Sequence, residues 1–366
     1  MAPVNRVEAV ADDPRYLEGK PASEFHAFLD EVFAGLAESN GTSLARVPSD
    51  RPVQVIADSH GDYVSVGRAL RYARSHDPPH RFVGLGDYID RATCRDPEPT
   101  ALPGGSIWNL AFLLAWATRA PDEVLLLRGN HEAPRRFPVP VMTFLKELRQ
   151  HFPREEAFGL YCRCLDACDR LPAAAATENG VFLAHGGIPP GSASARLGSR
   201  PIDDRVLEGL LWSDPAEDYE DRGIGFSYTA KDLERFLGRN RWRVMVKGHA
   251  PAHLGRSMYG RQLLTIHTSD LFQDLGHRGI LMAEIPAIRR VRSTRDLTVR
   301  QLVRGDWKPY RVAEDPAGPR RRSVPARGRK GRPGVPIPAV MRRDGAGPPH
   351  RHTLMPRKFG PDGLDP

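Results

Sequence analysis

The sequence predicts an α/β fold whose sheets are covered on both faces, and three observations support this. Seven short, nearly all-apolar runs have the composition of buried strands. Helical patterns fall between several of these runs. Five runs end abruptly in Asp, Asn or His beside Gly. Because ligands gather beyond the carboxyl ends of strands in α/β folds, these polar residues are expected to converge on one site.

The individual elements follow from the spacing of apolar residues. Residues 23–37 have helical periodicity, and two prolines within 47–52 interrupt the pattern. The predicted strands span 53–57, 82–85, 124–127, 181–184, 244–246, 263–266 and 280–283. The further predicted helices span 107–118, 141–151, 157–171 and 231–237.

The basic excess of the chain lies entirely in its C-terminal tail. The formal net charge is +8, but residues 316–366 hold 12 Lys and Arg against 3 Asp and Glu. Eleven Pro and eight Gly in the same 51 residues predict disorder, because too little apolar surface is available to offset the ordering entropy. The tail could contact acidic partners or nucleic acid through its charge, but it has only one aromatic residue for stacking, Phe359. A solvated tail is the favoured interpretation.

The cysteines and the apolar runs give an expectation for location. The cysteines at 94, 162, 164 and 168 lack the paired C-x-x-C spacing of a structural zinc site. They are expected to be buried thiols in a reducing compartment. No basic n-region followed by an apolar run opens the sequence, so no signal peptide is expected. The longest apolar stretch, 107–117, is too short to span a bilayer. The protein is therefore expected to be soluble and cytoplasmic, with no membrane partner.

Six residues at the strand ends are candidate metal ligands. All are oxygen or imidazole donors and none is a thiolate, which suits Mn, Fe or Zn. Two ions about 3.5–4 Å apart need a bridging carboxylate and several terminal ligands. A lone His is more often a hydrogen-bonded core residue, but six such groups at strand ends favour a metal site. The six are Asp58, His60, Asp87, Asn130, His185 and His249.

Several sequence blocks around these candidates occur in a specific order. The first three are Asp58-Ser59-His60-Gly61, Gly86-Asp87-Tyr88-Ile89-Asp90-Arg91 and Gly129-Asn130-His131-Glu132. The later ones are His185-Gly186-Gly187-Ile188, Leu211-Trp212-Ser213-Asp214-Pro215, Asp221-Arg222-Gly223 and Lys247-Gly248-His249. Over about residues 50–285, this order resembles the phosphoprotein phosphatase family of the calcineurin-like metallophosphoesterases.

The resemblance implies a fold, a domain organisation and a metal centre. The fold would be a metallophosphoesterase β-sandwich of two mixed sheets flanked by helices. The catalytic domain would span 50–290, after a helical extension at 1–49 and before an extension at 291–315 and the tail at 316–366. Two divalent or trivalent ions, with Mn favoured over Fe or Zn, would be bound. Asp58, His60 and Asp87 would hold one ion, while Asp87 would also bridge to the ion held by Asn130, His185 and His249.

The resemblance also implies a mechanism for phosphate monoester hydrolysis. A hydroxide bridging the two ions would attack phosphorus in line with the ester oxygen. Arg91 and Arg222 would bind the phosphoryl oxygens, together with Asn130. His131 would protonate the leaving group as general acid, and Asp90 would orient His131.

The sequence departs from the family pattern at three places. An insertion of about 11 residues lies within 92–104 and is expected to form a surface loop. Trp108 stands where the family has Glu, and residues 266–270 (Ile-His-Thr-Ser-Asp) replace the family's Ser-Ala-Pro-Asn-Tyr. Related phosphodiesterases bind metal with the second His of Gly-His-x-His, but Pro251 occupies that place here. On spacing alone, the histidines at 253, 267 and 277 are expected not to bind metal.

Three functions remain open from the sequence. The first is a protein serine/threonine phosphatase with phosphorylated proteins as substrates. The second is a hydrolase of dinucleoside polyphosphates or other small phosphoesters, since some relatives share nearly the same first three blocks. The third is a scaffold or nucleic-acid-binding protein without catalysis, against which the complete set of ligands argues.

Overall fold

The computed structural model describes residues 5–36, 43–90, 105–139, 142–191, 197–198, 201–217, 223–272 and 279–315. Several predictions fall outside these residues: the insertion at 92–104, the tail at 316–366, the phosphate-binding roles of Arg91 and Arg222, and the non-ligand role of His277. The contacts between residues divide the chain into two units, Met1–Gly318 and Pro319–Pro366. The second unit also lies outside the described residues.

Eight α-helices occur in the described residues, several with an identifiable start. They are α1 (Arg6–Asp12), α2 (Ala22–Gly35), α3 (Tyr63–Arg74), α4 (Gly105–Arg119), α5 (Phe144–His151), α6 (Arg154–Asp169), α7 (Asp204–Trp212) and α8 (Ala230–Arg239). Asp62 caps α3 by accepting the backbone N–H of Ser65, and Thr229 and Asp232 form a capping box at α8. Two acidic residues, Glu155 and Glu156, occupy the first turn of α6, where the helix dipole favours negative charge.

The strands form two large mixed sheets. They are β1 (Leu44–Val47), β2 (Val53–Ile56), β3 (Arg81–Gly84), β4 (Val124–Leu126), β5 (Ala174–Thr177), β6 (Val181–Ala184), β7 (Asp214–Pro215), β8 (Ser227–Tyr228), β9 (Val244–Lys247), β10 (Arg256–Met258), β11 (Leu263–Thr265), β12 (Leu281–Ile285), β13 (Thr298–Val303), β14 (Asp306–Pro309) and β15 (Ala313–Glu314). In the described part of the chain, one sheet has the order β1-β5-β6-β9-β11-β10-β15 and the other has the order β14-β13-β12-β2-β3-β4. A short parallel pair, β7 and β8, forms a separate two-stranded sheet.

Alternating side chains join the two sheets into a sandwich. On β2, Val53 and Val55 face the core between the sheets, while Ile56 faces a second core under the helices. On β6, Val181 and Leu183 face the central core, and Phe182 packs under α7 and α8. This period of two explains why the strands read as continuous apolar runs: both faces of each strand are buried. The predicted α/β sandwich of two mixed sheets flanked by helices is confirmed.

The parallel strands bring the candidate ligands to common edges. Strands β2, β3 and β4 are parallel to one another, and so are β6, β9 and β11. Their carboxyl ends meet where the two sheets approach: Thr268 N–H after β11 donates to Ala57 O after β2 (2.6 Å), and His249 N–H after β9 donates to Asp58 Oδ2 (2.9 Å). The fold therefore gathers residues from distant parts of the sequence at one end of the sandwich.

Sequence patterns found most elements but missed the short or weakly patterned ones. All seven predicted strands and five predicted helices correspond to observed elements, with described ends that differ by at most three residues. The elements that were not predicted are helices α1, α3 and α7 and strands β1, β5, β7, β8, β10, β13, β14 and β15. Strand β5 is Ala-Ala-Ala-Thr, which has little strand propensity, so its pairing with β1 and β6 decides its conformation. No helix in the described ranges is both long and apolar enough to cross a bilayer.

Candidate metal centre

The turns after five strands carry all six predicted ligands. Asp58 and His60 follow β2, Asp87 follows β3 and Asn130 follows β4. His185 follows β6, and His249 follows β9. Each of the six is at most 8% exposed, so these polar groups lie in a medium where they need partners or a cation.

Four of the six surround one point. His185 Nε2 lies 3.3 Å from Asp87 Oδ2, 2.8 Å from the Asn130 amide and 3.2 Å from His249 Nδ1. The Asn130 amide is also 3.1 Å from His249 Nδ1. Asp87, His185 and His249 have the spacing of a potential ion site. Together with Asn130, these three residues are the set expected to hold one of the two ions.

Asp87 also belongs to a second group. Its Oδ2 lies 3.6 Å from His60 Nε2 and 3.9 Å from His131 Nε2, and these three residues also have ion-site spacing. One carboxylate thus faces both groups, as a bridging ligand would. Asp58 is in neither three-residue group. Both of its oxygens accept the backbone N–H of His249, at 3.0 and 2.9 Å.

The donor set fits a pair of hard or borderline cations. Imidazole nitrogens, carboxylates and an amide converge within hydrogen-bond range without a thiol among them. Lone-pair donors at this spacing repel one another unless protons or a cation lie between them. Asp58, His60 and Asp87 would hold one ion, and Asp87, Asn130, His185 and His249 the other.

Buried hydrogen bonds fix the ligand loops. Glu132 Oε2 accepts the N–H groups of Asp87 (2.7 Å) and Gly129 (2.9 Å), while Oε1 accepts that of Tyr88 (2.7 Å). Asn109 Nδ2 donates to Ser59 Oγ and to Tyr88 O, each at 2.8 Å. These bonds join the turns after β2, β3 and β4 with helix α4, so the ligands are held before any ion binds.

A buried ion pair lies behind His249. Lys247 Nζ is 2.8 Å from Asp214 Oδ1, and Asp214 Oδ2 is 3.7 Å from His249 Nε2. Because His249 presents Nδ1 to the ligand cluster, its other nitrogen faces this carboxylate. A carboxylate on the far side of a ligand imidazole orients the ring. The sequence blocks contained Lys247 and Asp214, but no role was predicted for either.

Asp90 and His131 form a buried pair beside the ligands. His131 Nδ1 lies 2.7 Å from Asp90 Oδ2, and His131 is 1% exposed. The other Asp90 oxygen accepts the N–H of Phe144 (2.7 Å) at the start of α5. The backbone N–H of His131 donates to Asp87 Oδ1 (3.0 Å). The ring is thereby oriented with Nε2 toward the ligand cluster.

A second buried carboxylate ties α5 to α4. Glu147 accepts the N–H (2.9 Å) and the hydroxyl (2.5 Å) of Ser106, and burial raises its pKa to about 7. A folded-state pKa above the unfolded value gives a stability contribution that is complete below pH 4.5 and is lost as pH rises through 7.

We therefore expect Glu147→Gln to remove part of the pH dependence of stability. The free energy of unfolding of the variant, relative to the wild type, should be higher at pH 8 than at pH 5 by about 2–3 kcal/mol. Urea denaturation at the two pH values measures it, with the exposed Glu155→Gln as control. An equal difference at both pH values would contradict the prediction.

The charges of the site are strongly coupled. Burial raises the pKa of Asp58 to about 7, and burial together with the charge of Asp87 raises the pKa of Glu132 to about 7. Burial also acts to raise the pKa of Asp87, but His185 and His131 outweigh it and hold that pKa well below its usual value. For His185, the charges of Asp87 and Asp58 outweigh burial and raise the pKa to about 9. Cations bind deprotonated carboxylates and neutral imidazoles, so cation binding would release protons from these residues. The affinity for cations should therefore fall as the pH falls.

The backbone is unusual at the same residues. Asp58, His60, Asp87, Asp90 and His249 all have positive φ, between 42° and 68°. Such left-handed conformations are uncommon outside glycine and cost about 1–3 kcal/mol each. Their concentration here indicates that the fold strains the chain to aim these side chains inward.

Gly248 allows the two sheets to approach closely. A Cβ at this position would overlap Asp58 Oδ2. We expect Gly248→Ala to displace Asp58 and to weaken binding of the ion that Asp58 holds by at least about 10-fold. Calorimetric metal titration measures this, with Gly238→Ala as control because a Cβ there meets no atom within 4 Å. Unchanged affinity would show that Asp58 is not held by this contact.

Comparison with known proteins agrees with this geometry. A family model described as calcineurin-like phosphoesterase matches residues 51–253, more than half of the chain. A protein serine/threonine phosphatase structure from Saccharomyces cerevisiae, with similarity to human phosphatase PP5, is 19% identical, covers 86% of this chain and 98% of its own, and has a TM-score of 0.63.

Two further solved structures are more distant. A cold-active protein-tyrosine phosphatase of a psychrophilic Shewanella species is 14% identical over 75% of this chain and 84% of its own, with a TM-score of 0.47. A putative diadenosine tetraphosphatase is 16% identical over 67% of this chain and 93% of its own, with a TM-score of 0.38. The family match covers the ligand positions from Asp58 to His249, and the chain therefore belongs to the calcineurin-like phosphoesterase family.

Proposed function

We propose that the protein is a dimetal phosphomonoesterase that hydrolyses phosphoserine and phosphothreonine in proteins. The observation that carries this proposal is the Asp90–His131 pair, buried beside a cluster of oxygen and nitrogen donors. The family supports phosphoester hydrolysis, and this pair supports the choice of ester.

Leaving-group chemistry connects the pair to the substrate. When the phosphorus–oxygen bond of a phosphoserine breaks, the departing alkoxide is a strong base and needs a proton. A dinucleoside polyphosphate releases a phosphate group, which is stable without one. An imidazole held at Nδ1 by a carboxylate, with Nε2 toward the cluster, is suited to protonate an alkoxide. The geometry therefore favours alkyl phosphate monoesters.

The remaining roles follow from the positions of the residues. Two bound cations would supply a nucleophile at neutral pH and neutralise charge on the phosphoryl group. Asn130 would also contact a phosphoryl oxygen. Arg91 and Arg222 remain proposed phosphate ligands from the sequence. Mn is the proposed metal, with Fe or Zn as alternatives.

The substrate proposal is tested by three substrates compared at equal metal loading. A phosphoserine peptide, p-nitrophenyl phosphate and a dinucleoside tetraphosphate are offered to the full chain reconstituted with Mn²⁺. We expect the phosphoserine peptide to be hydrolysed with a higher kcat/KM than the dinucleoside tetraphosphate. A preference for the dinucleotide would support the small-nucleotide hydrolase and contradict the proposal. No turnover of any substrate by the metal-loaded chain would favour the non-catalytic hypothesis.

We also propose a cytoplasmic location, where phosphorylated proteins would be the substrates. Three of the four cysteines, Cys162, Cys164 and Cys168, lie in described parts of the chain and are free thiols. Burial raises the pKa of Cys164 to about 12 and that of Cys168 well above its usual value, which makes both unreactive. Unreactive reduced thiols are typical of proteins in a reducing compartment.

A further inference from the structure

One fully buried histidine outside the predicted ligand set lies against the metal centre. His267 follows β11 and is 0% exposed. Strand β11 runs parallel to β9 with Lys247 opposite Thr265. Continuing this register by two residues places His267 level with the predicted ligand His249. The two histidines thus leave neighbouring parallel strands at the same edge.

Hydrogen bonds to both sheets hold this position. Ile266 N–H donates to Lys247 O (2.9 Å) within one sheet. Thr268 N–H donates to Ala57 O (2.6 Å), and Leu281 N–H donates to His267 O (2.7 Å), both toward the other sheet. The backbone at His267 therefore bridges the two sheets directly beside Asp58, and it has little freedom to move.

The His267 side chain faces Asp58, one of the residues expected to hold an ion together with His60. His267 Nε2 lies 3.8 Å from Asp58 Oδ1. A neutral imidazole is a common metal ligand in proteins. Donor atoms bound to one ion at about 2.0–2.2 Å are about 3–4 Å apart, so the observed distance is compatible with a shared ion.

We propose that His267 is a further ligand of the ion held by Asp58 and His60. In the ligand set implied by the sequence, this ion has three protein ligands while the other has four, and His267 would make the two sites equal in number. The proposal rests on the dimetal centre of the proposed function, and it replaces the expectation from spacing that His267 does not bind metal. The sequence pattern missed it because His267 comes from a strand end with no Gly-His motif.

Metal binding to the full-length chain tests this without measuring catalysis. Apo protein is titrated with Co²⁺ by calorimetry, and bound metal is counted by elemental analysis. We expect both His267→Ala and His267→Gln to weaken one of two Co²⁺ sites by about 10–100-fold. The control is His253→Gln, which removes another buried imidazole whose Nε2 contacts Glu217 O at 3.1 Å. This control variant should bind Co²⁺ at both sites with the affinity of the wild type.

The glutamine variant separates ligation from hydrogen bonding. Gln retains an N–H donor for Asp58 but offers only an amide oxygen, a weaker ligand for Co²⁺ than imidazole, so wild-type Co²⁺ affinity in His267→Gln would overturn the proposal. Unchanged affinity in His267→Ala would overturn it as well.

If neither His267 variant folds, the number of imidazole ligands is measured in a protein that keeps His267. X-ray absorption of dicobalt His131→Ala should show four imidazoles per two ions, because His60, His185 and His249 alone give three. A count of three would refute ligation by His267. A chain that binds two ions as expected but does not hydrolyse phosphoserine would contradict the proposed function and leave this inference intact.

Discussion

Replacing His131 by Ala is expected to lower kcat for a phosphoserine peptide by about 10²–10⁴-fold. The physical reason is that the alkoxide leaves without a proton donor, since His131 Nε2 is oriented toward the cluster by the Asp90 contact at Nδ1. The loss should be much smaller for p-nitrophenyl phosphate, because its phenolate is stable without protonation. Steady-state kinetics with both substrates at saturating Mn²⁺ measures the difference.

The control for this change is His76→Ala, a partly exposed histidine whose ring stacks on His80. It should leave both rates unchanged. Because His131 also has ion-site spacing with His60 and Asp87, the metal content of His131→Ala must be measured. Equal rate losses on both substrates, together with a lost ion, would identify His131 as a metal ligand instead of a general acid.

Asp87→Asn is expected to abolish hydrolysis of every phosphoester. Asp87 is the carboxylate shared by both donor groups, so neutralising it removes the charge that balances two cations. Loss of metal-dependent stabilisation of the transition state is worth several kcal/mol, or about 10³-fold or more in rate. The same variant should fail to gain thermal stability from Mn²⁺, whereas the wild type should gain it, because an ion that binds only the folded state raises Tm.

The matched control is Asp306→Asn, which removes an exposed carboxylate on β14. Its activity and its Tm response to Mn²⁺ should be those of the wild type. A Tm increase of Asp87→Asn equal to that of the wild type would show that the ions do not depend on this carboxylate. Turnover by the variant at an unreduced rate would refute the bridging role of Asp87.

The candidate site was more predictable from the sequence than its supporting contacts. Ligands such as Asp58 and His249 follow apolar runs whose strand character is clear, and parallel strands place such ends together. The contact between Lys247 and Asp214 joins residues 33 apart in sequence, and no periodicity records it. Glu147 was missed for the same reason: its partner, Ser106, lies 41 residues earlier in the first turn of another helix.

The sequence by itself determined the alternation of buried strands and helices, the six polar residues at strand ends and the order of blocks that indicates this family. The family resemblance also implied that Asp87 bridges and that Asp90 orients His131. Only the tertiary structure decided that Lys247 pairs with Asp214, that Glu147 accepts from Ser106, and that His267 lies beside Asp58. The reason is that local patterns fix which residues leave a strand at its end, whereas the register between strands and the packing of two sheets fix which of those side chains meet.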